Sequence, residues 1–177
     1  MIQTPIYLDA TTLIALGRIG ELDRLTSFDG RLIALPRIRA EVTTEPARTN
    51  LERFIGRAAV ETTPSVDLDD GRAMDVLGER EVNGDVRLVA AVLAHTDADA
   101  PVGVVSDDRR VRTVARGFGA RVTGTIGVVV RAVEEGLPAD EGKAIVRRLD
   151  DHGLHMTAEL HEKAFELLEA ADDHDVA

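Results

Sequence analysis

Short apolar runs separated by longer segments of helical period constrain this chain more than any other feature of its sequence. Residues 6–8, 31–35, 58–61, 102–105 and 120–122 read as buried strands. Val86, Val89, Ala90, Leu93 and Ala94 recur at i, i+3, i+4, i+7 and i+8, and Val111, Val114, Ala115 and Phe118 repeat the first four terms, so both segments are predicted helices. Ile126, Val129, Val130, Val133 and Leu137 predict a third, ended by Pro138, although TIGVVV alone has a strand's composition. Strands alternating with helices demand a parallel sheet covered on both faces, an α/β fold of three layers, α/β/α. Beyond Pro138 two more helices are predicted, over 140–149 and 157–170, with a break at His152-Gly153. The second carries an apolar stripe of Leu160, Ala164, Leu167 and Leu168. The expectation is one α/β domain over residues 1–138, with residues 139–177 as a C-terminal helical extension packed on it. Segments 43–50 and 62–70 read as exposed connections and the tail 172–177 as frayed.

Composition narrows the class. The chain has 177 residues, within the usual ~100–200 of a single domain, and a formal charge of -11. With no cysteine it has neither a disulfide framework nor a thiolate metal cage nor a thiol nucleophile, so any metal must sit on oxygen or histidine. The first residues lack a basic segment followed by a long apolar one, and no stretch approaches the ~18 apolar residues of a membrane span, which points to a soluble cytoplasmic protein. Of 21 basic residues 19 are Arg, and Asp outnumbers Glu by 18 to 14, a balance suited to a salty cytoplasm. At ~1 M salt the Debye length is only ~3 Å, and a hydrated acidic surface stays soluble there. Codon bias in a GC-rich genome accounts for the Arg but not for the acidity. Aromatics are few, so Val, Leu, Ile and Ala must build the core.

In an open parallel sheet, ligands bind beyond the carboxyl ends of the strands. Asp9 ends the first apolar run in IYLDATTLIAL, and Asp107-Asp108 end another in PVGVVSDDRRVR. Two further acids lie on helices: Glu41 in LPRIRAEV and Asp85 at the start of NGDVRLVAAVLA, where Asn83 is a candidate N-cap. Each has a plain structural reading as well. Asp85 in a first turn suits the helix dipole, Glu41 can face solvent, and Asp9 can cap the next helix with Thr11 or Thr12. Their joint pattern favours a site.

That pattern resembles the PIN-domain family, the VapC-type ribonuclease toxins and their archaeal relatives in particular. Four pieces carry the resemblance in order: Asp-x-Thr in YLDATTLIAL, Pro-then-Glu in LPRIRAEV, Gly-Asp in GDVRLVAAVLA, and Ser-x-Asp with a basic helix in VVSDDRRVRTVARGFG. The closing ARVTGTIGVVVRAVEEGLP also resembles the archaeal branch, and the likeness spans about residues 5–138. Asp9, Glu41, Asp85 and Asp108 match the family's four acidic positions, with Asp107 the alternative to Asp108. Thr11 matches the small hydroxyl beside the first Asp, bordering the substrate. Asp85 stands where that branch commonly has Glu, Gly78-Glu79 is a rival for the same position, and the loop HTDADAP is longer than usual. The resemblance implies a metal-dependent endoribonuclease, the toxin of a type II toxin-antitoxin pair, with RNA, a small antitoxin and a second copy of itself as partners.

The chemistry agrees with that set. At an effective dielectric of ~20, two like charges ~5 Å apart cost roughly 3 kcal/mol. A cluster of oxygen ligands without Cys suits Mg²⁺ or Mn²⁺ rather than Zn²⁺. Asp9, Asp85 and Asp108 are the expected metal ligands, with Asp107 as a further candidate and Glu41 binding the ion or orienting water. Arg109, Arg110 and Arg112 are the expected phosphate contacts, reinforced by Arg116 and Arg121, while Arg37 and Arg39 flank Glu41. His152, His155 and His161 straddle a helix break and share no face, which argues against zinc, and His95 near a helix end suits the dipole. Two readings compete: a non-catalytic PIN-fold module binding RNA or protein, and a phosphatase of the haloacid dehalogenase type. The latter usually needs Asp-x-Asp-x-Thr, and this chain has Asp9-Ala10-Thr11-Thr12.

Overall fold

The structure is a computed structural model describing residues 3–173. Four strands form one all-parallel sheet in the order β2-β1-β3-β4: β1 (Pro5–Leu8), β2 (Arg31–Ile33), β3 (Gly103–Val105) and β4 (Arg121–Thr123). β1 pairs with β2 through Ile6 and Leu32 and with β3 through Tyr7 and Val104. Its four residues are all buried, as a strand covered on both faces must be. Nine helices are described: α1 (Ala10–Arg18), α2 (Pro36–Glu41), α3 (Ala47–Arg57), α4 (Asp70–Leu77), α5 (Gly84–Asp97), α6 (Arg109–Gly117), α7 (Thr125–Glu134), α8 (Ala139–Asp151) and α9 (Ala158–Asp173). They flank the sheet in the three-layer α/β/α arrangement, with the C-terminal helices α8 and α9 packed on α7.

Some expected elements are shorter or longer than the pattern implied. The strand expected over 58–61 shrinks to a single bridge, Glu61 to Ile33. α3 runs to Arg57 and Ala58 caps it, so only Glu61 comes alongside β2, donating to Leu32 O at 2.8 Å and accepting from Ala34 N at 2.9 Å. β2 stops at Ile33 because Pro36 opens α2 and holds the preceding residue extended. The connection expected over 43–50 becomes helix from Ala47. Ala47, Leu51 and Phe54 are buried, and Gly17 of α1 meets Ala47 where an added Cβ would stand 3.1 Å away, so α1 and α3 approach closely. Asp69 caps α4 inside the other expected connection, accepting from Arg72 N.

α5 shows how a period can reveal half of a face. Val86, Val89, Ala90 and Leu93 pack with Ala73 and Leu77 of α4, while Leu88, Ala91 and Val92 on the same helix join the core beneath the sheet. α5 is therefore buried on two sides. α9 is rotated from expectation: Ala164, Leu168 and Ala171 are buried, whereas Leu160 and Leu167 of the expected stripe are exposed. Asp172 and Asp173 of the tail end α9, and residues 174–177 lie outside the described residues.

His95 is a core residue as well as a residue of the last turn of α5. It is buried, and its Nε2 shares a 3.0 Å hydrogen bond with the buried Tyr7 hydroxyl at the centre of β1. Burial raises the Tyr7 pKa and lowers that of His95, holding both neutral. Tyr7→Phe keeps the ring and leaves the imidazole unpartnered there, so it should cost about 1–3 kcal/mol of unfolding free energy, read as a lower urea midpoint. An unchanged midpoint would show that the pair adds no net stability.

Candidate active site at the carboxyl edge of the sheet

The chain leaves β1 at Leu8 and enters α1 at Ala10, which leaves Asp9 as the N-cap between them. Its backbone N–H still bonds Val105 O of β3 at 2.9 Å, so the residue is held as part of the sheet. Only 1% of Asp9 is exposed. Its Oδ1 accepts from Ala10 N at 2.7 Å, and its Oδ2 accepts from Thr11 Oγ1 at 3.1 Å and Ser106 Oγ at 2.5 Å. Despite these bonds its pKa is pushed up to about 6, first by burial and also by the charge on Asp85.

Ser106 was not singled out among the candidate residues, yet it joins the two strand ends. It is wholly buried, donates to Asp9, and accepts from Asp108 N at 3.1 Å. The signal was available: it opens the Ser-x-Asp pattern directly after an apolar run. Asp108 then caps α6, with Oδ1 accepting from Val111 N at 2.9 Å. Asp107, the alternative to Asp108, turns elsewhere. One carboxylate oxygen accepts from Thr125 N at 2.7 Å and the other from the Thr125 hydroxyl, which caps α7 across the sheet edge. Thr11 supports both groups, donating to Asp9 and accepting from Asp107 N at 3.1 Å.

Asp85 lies in the first turn of α5, where Asn83 is the N-cap and accepts from Val86 N at 3.0 Å. Burial raises the Asp85 pKa, and Asp108 and Glu79 add to the rise against an opposing bond from Arg110. Asp9, Asp85 and Asp108 are thus electrostatically coupled through Asp85. Glu41 ends α2 and reaches the same helix start: its Oε1 accepts from Gly84 N at 2.7 Å. A Cβ at residue 84 would stand 2.5 Å and 2.7 Å from the two Glu41 oxygens, so glycine is what admits this carboxylate.

The arginines divide. Arg110 bonds Glu79 at 2.5 Å and Asp85 at 3.2 Å, so it neutralises the acids and bridges the expected third position and its rival. Arg112 lies beside Asp107, and a Cβ at Gly124 would stand 2.6 Å from both. Arg109 is exposed and has no ion pair among the described residues. Arg39 pairs with Glu52 at 2.9 Å, away from Glu41.

The donors offered by Asp9, Asp85, Asp108 and Glu41 are all hard oxygens, which fit Mg²⁺ or Mn²⁺. Among the described residues, however, no three acidic or histidine side chains stand grouped as they would around an ion. The physical reason is visible: Arg110 takes up Asp85, and hydroxyls and an amide take up Asp9.

With this geometry comes the family. A family model described as PIN domain, DUF3368, matches residues 5–170, and the chain belongs to that family. PIN domains are typically nucleases and generally use divalent metal ions. No curated protein and no solved structure matches the chain.

The Asp9 shift has a measurable consequence. Its carboxyl titrates at about 6 in the fold against an ordinary 3.8, so the folded chain holds that proton more tightly than the unfolded one. The resulting stability is fully present below the unfolded value and is lost as pH rises through about 6, roughly 3 kcal/mol in all. In chelator, the unfolding free energy of the wild type relative to Asp9→Asn should fall by about that amount between pH ~4 and pH ~7. Millimolar Mg²⁺ should raise the wild-type melting temperature at neutral pH and leave Asp9→Asn unmoved. A constant difference across that range would refute the shift.

Proposed function

We propose that this PIN-domain protein is a metal-dependent endoribonuclease that cleaves RNA phosphodiester bonds at the carboxyl edge of its sheet. The observation that carries the reading is the placement of Asp9, Asp85 and Asp108, three carboxylates from three separate elements, at the ends of β1 and β3 and the start of α5, with Asp9 Oδ2 and the Asp108 N–H both bonded to the Ser106 hydroxyl. Folding alone does not select such mutual repulsion, and a cation relieves it. Asp9, Asp85 and Asp108 would hold Mg²⁺ or Mn²⁺, which when bound supplies a water of lowered pKa and charge neutralisation at the leaving oxygen.

The chain's own residues do the rest. Ser106, Thr11 and the Ala10 N–H hold Asp9 in one orientation, so the ligand set is partly preorganised. Glu41, fixed through one oxygen on Gly84, keeps its second oxygen to orient the attacking water and take its proton. Asp85, now bonded to Arg110, would be among the residues that hold the ion, and the Arg110 guanidinium would then be available to phosphate oxygens. No protein nucleophile is required. The resemblance to toxin ribonucleases supports a place in a toxin-antitoxin pair, with a small antitoxin and a second copy as partners. Among the described residues no helix is long and apolar enough to cross a membrane.

RNA should be cut in Mg²⁺ or Mn²⁺ at high salt, and the rate should drop by roughly two to four orders of magnitude in Asp9→Asn and in Asp85→Asn proteins that keep their circular dichroism. Full activity in both variants, or cleavage indifferent to chelator, overturns the reading. One observation favours a second reading, a PIN-fold module that binds RNA without cutting it: Arg110 already neutralises Asp85. RNA binding that persists in chelator, with no cleavage across a panel of RNAs, would select that alternative.

A further inference from the structure

The sheet edge opens into a groove of about 480 Å³, within the ~300–1,000 Å³ usual for ligand sites. Thr11 and Asp108 of the candidate active site line it. Arg18 of α1, Arg109 of α6 and His152 and Gly153 of the turn that joins α8 to α9 line it as well. Its lining therefore combines the carboxylates of Asp107 and Asp108 with the guanidinium groups of Arg18 and Arg109.

Three features mark the part beside that turn as built. Arg18 Nη1 crosses from α1 to donate to His152 O at 3.2 Å, although 134 residues separate them. Gly153 has φ +111, and a Cβ there would stand 2.8 Å from Arg18 Nη1, so a side chain at this position would have to shift that end of the guanidinium. The exposed His152 ring is itself fixed, its Nδ1 lying 2.8 Å from Arg148 O. A carbonyl can only accept, so Nδ1 carries the proton of that bond.

Neither arginine of the groove is neutralised by an acidic side chain. Arg24, Arg57, Arg72 and Arg87 each hold an Asp or Glu, whereas neither Arg18 nor Arg109 has a carboxylate partner among the described residues. What sets these two apart from the other arginines without an ion pair, Arg53 among them, is that both line the groove that also holds Thr11 and Asp108.

We propose that this groove holds the single-stranded RNA that flanks the bond being cut, with Arg18 and Arg109 on its phosphates and the His152 ring as a stacking surface for a base. Ile14 and Leu154 supply apolar contact to the same nucleotide. The turn between α8 and α9 thereby becomes part of the substrate platform. This deepens the nuclease reading and rests on it. Guanidinium forks match phosphate oxygens, and rings that stack on bases tolerate any sequence.

The test uses the full-length Asp9→Asn protein, silenced for cleavage, and a fluorescein-labelled single-stranded RNA of about ten nucleotides, followed by anisotropy against salt. Arg18→Glu and Arg109→Glu should each weaken Kd about tenfold and reduce the salt slope by about one. Arg53→Glu, on the exposed face of α3, should change neither. Arg109→Glu keeps the design decisive should Arg18→Glu disturb the α8–α9 turn, because an acidic residue in the first turn of α6 suits the helix dipole. Wild-type cleavage together with unchanged Kd in the Arg18→Glu and Arg109→Glu proteins overturns the groove alone. Absence of both RNA binding and cleavage overturns the nuclease reading and the groove with it.

Discussion

The hydrogen bond from Ser106 to Asp9 anchors the arrangement at the sheet edge. β1 is buried along its whole length, so the residue that follows it meets little water, and in this chain that residue is a carboxylate. An unpaired buried charge is costly, and here an amide and two hydroxyls offset part of that cost without supplying a positive charge. The same Ser106 receives the Asp108 N–H, so the ends of β1 and β3 are tied at one atom. The positions of α1 and α6, each capped by one of these acids, follow from that tie.

Around it the charges are sorted rather than simply accumulated. Asp107 is spent on capping α7, Asp108 on capping α6, and Glu41 on the start of α5. Each nevertheless stands at or near the carboxyl edge, because caps and site share the same geometry: helix starts gather where parallel strands end. Arg110 balances Asp85 and Glu79 from within, while Arg18 and Arg109 line the groove leading away. The net charge of -11 therefore says little about the local field an RNA strand would meet.

Much of this was legible in the chain itself. The run YLDATT placed a carboxylate at a strand end, and GDVRLVAAVLA placed another in a helix start, because strand ends and helix caps are written locally. The strand at 58–61 and the stripe on α9 were misread, since a few apolar residues do not reveal whether a neighbour leaves room for pairing or which side of a helix that neighbour covers. α3 was hidden behind Pro46, which caps it. Ser106 is visible only as the first residue of Ser-x-Asp, and the Thr125 hydroxyl belongs to no such pattern. Their roles exist only opposite Asp9 and Asp107.

By itself the sequence determined the α/β order, the all-parallel layering and the acids that end strands or open helices. These depend on periodicity and on neighbours within a few residues. Only the tertiary structure decided that Asp107 turns to Thr125 while Asp108 couples to Asp85, and that Arg110 guards the acids while Arg18 crosses to the turn after α8. Such choices join residues far apart in the chain, 97 for Asp9 and Ser106 and 134 for Arg18 and His152. A hydrogen bond acts over about 3 Å of space, and that distance is set by packing, which no local pattern encodes.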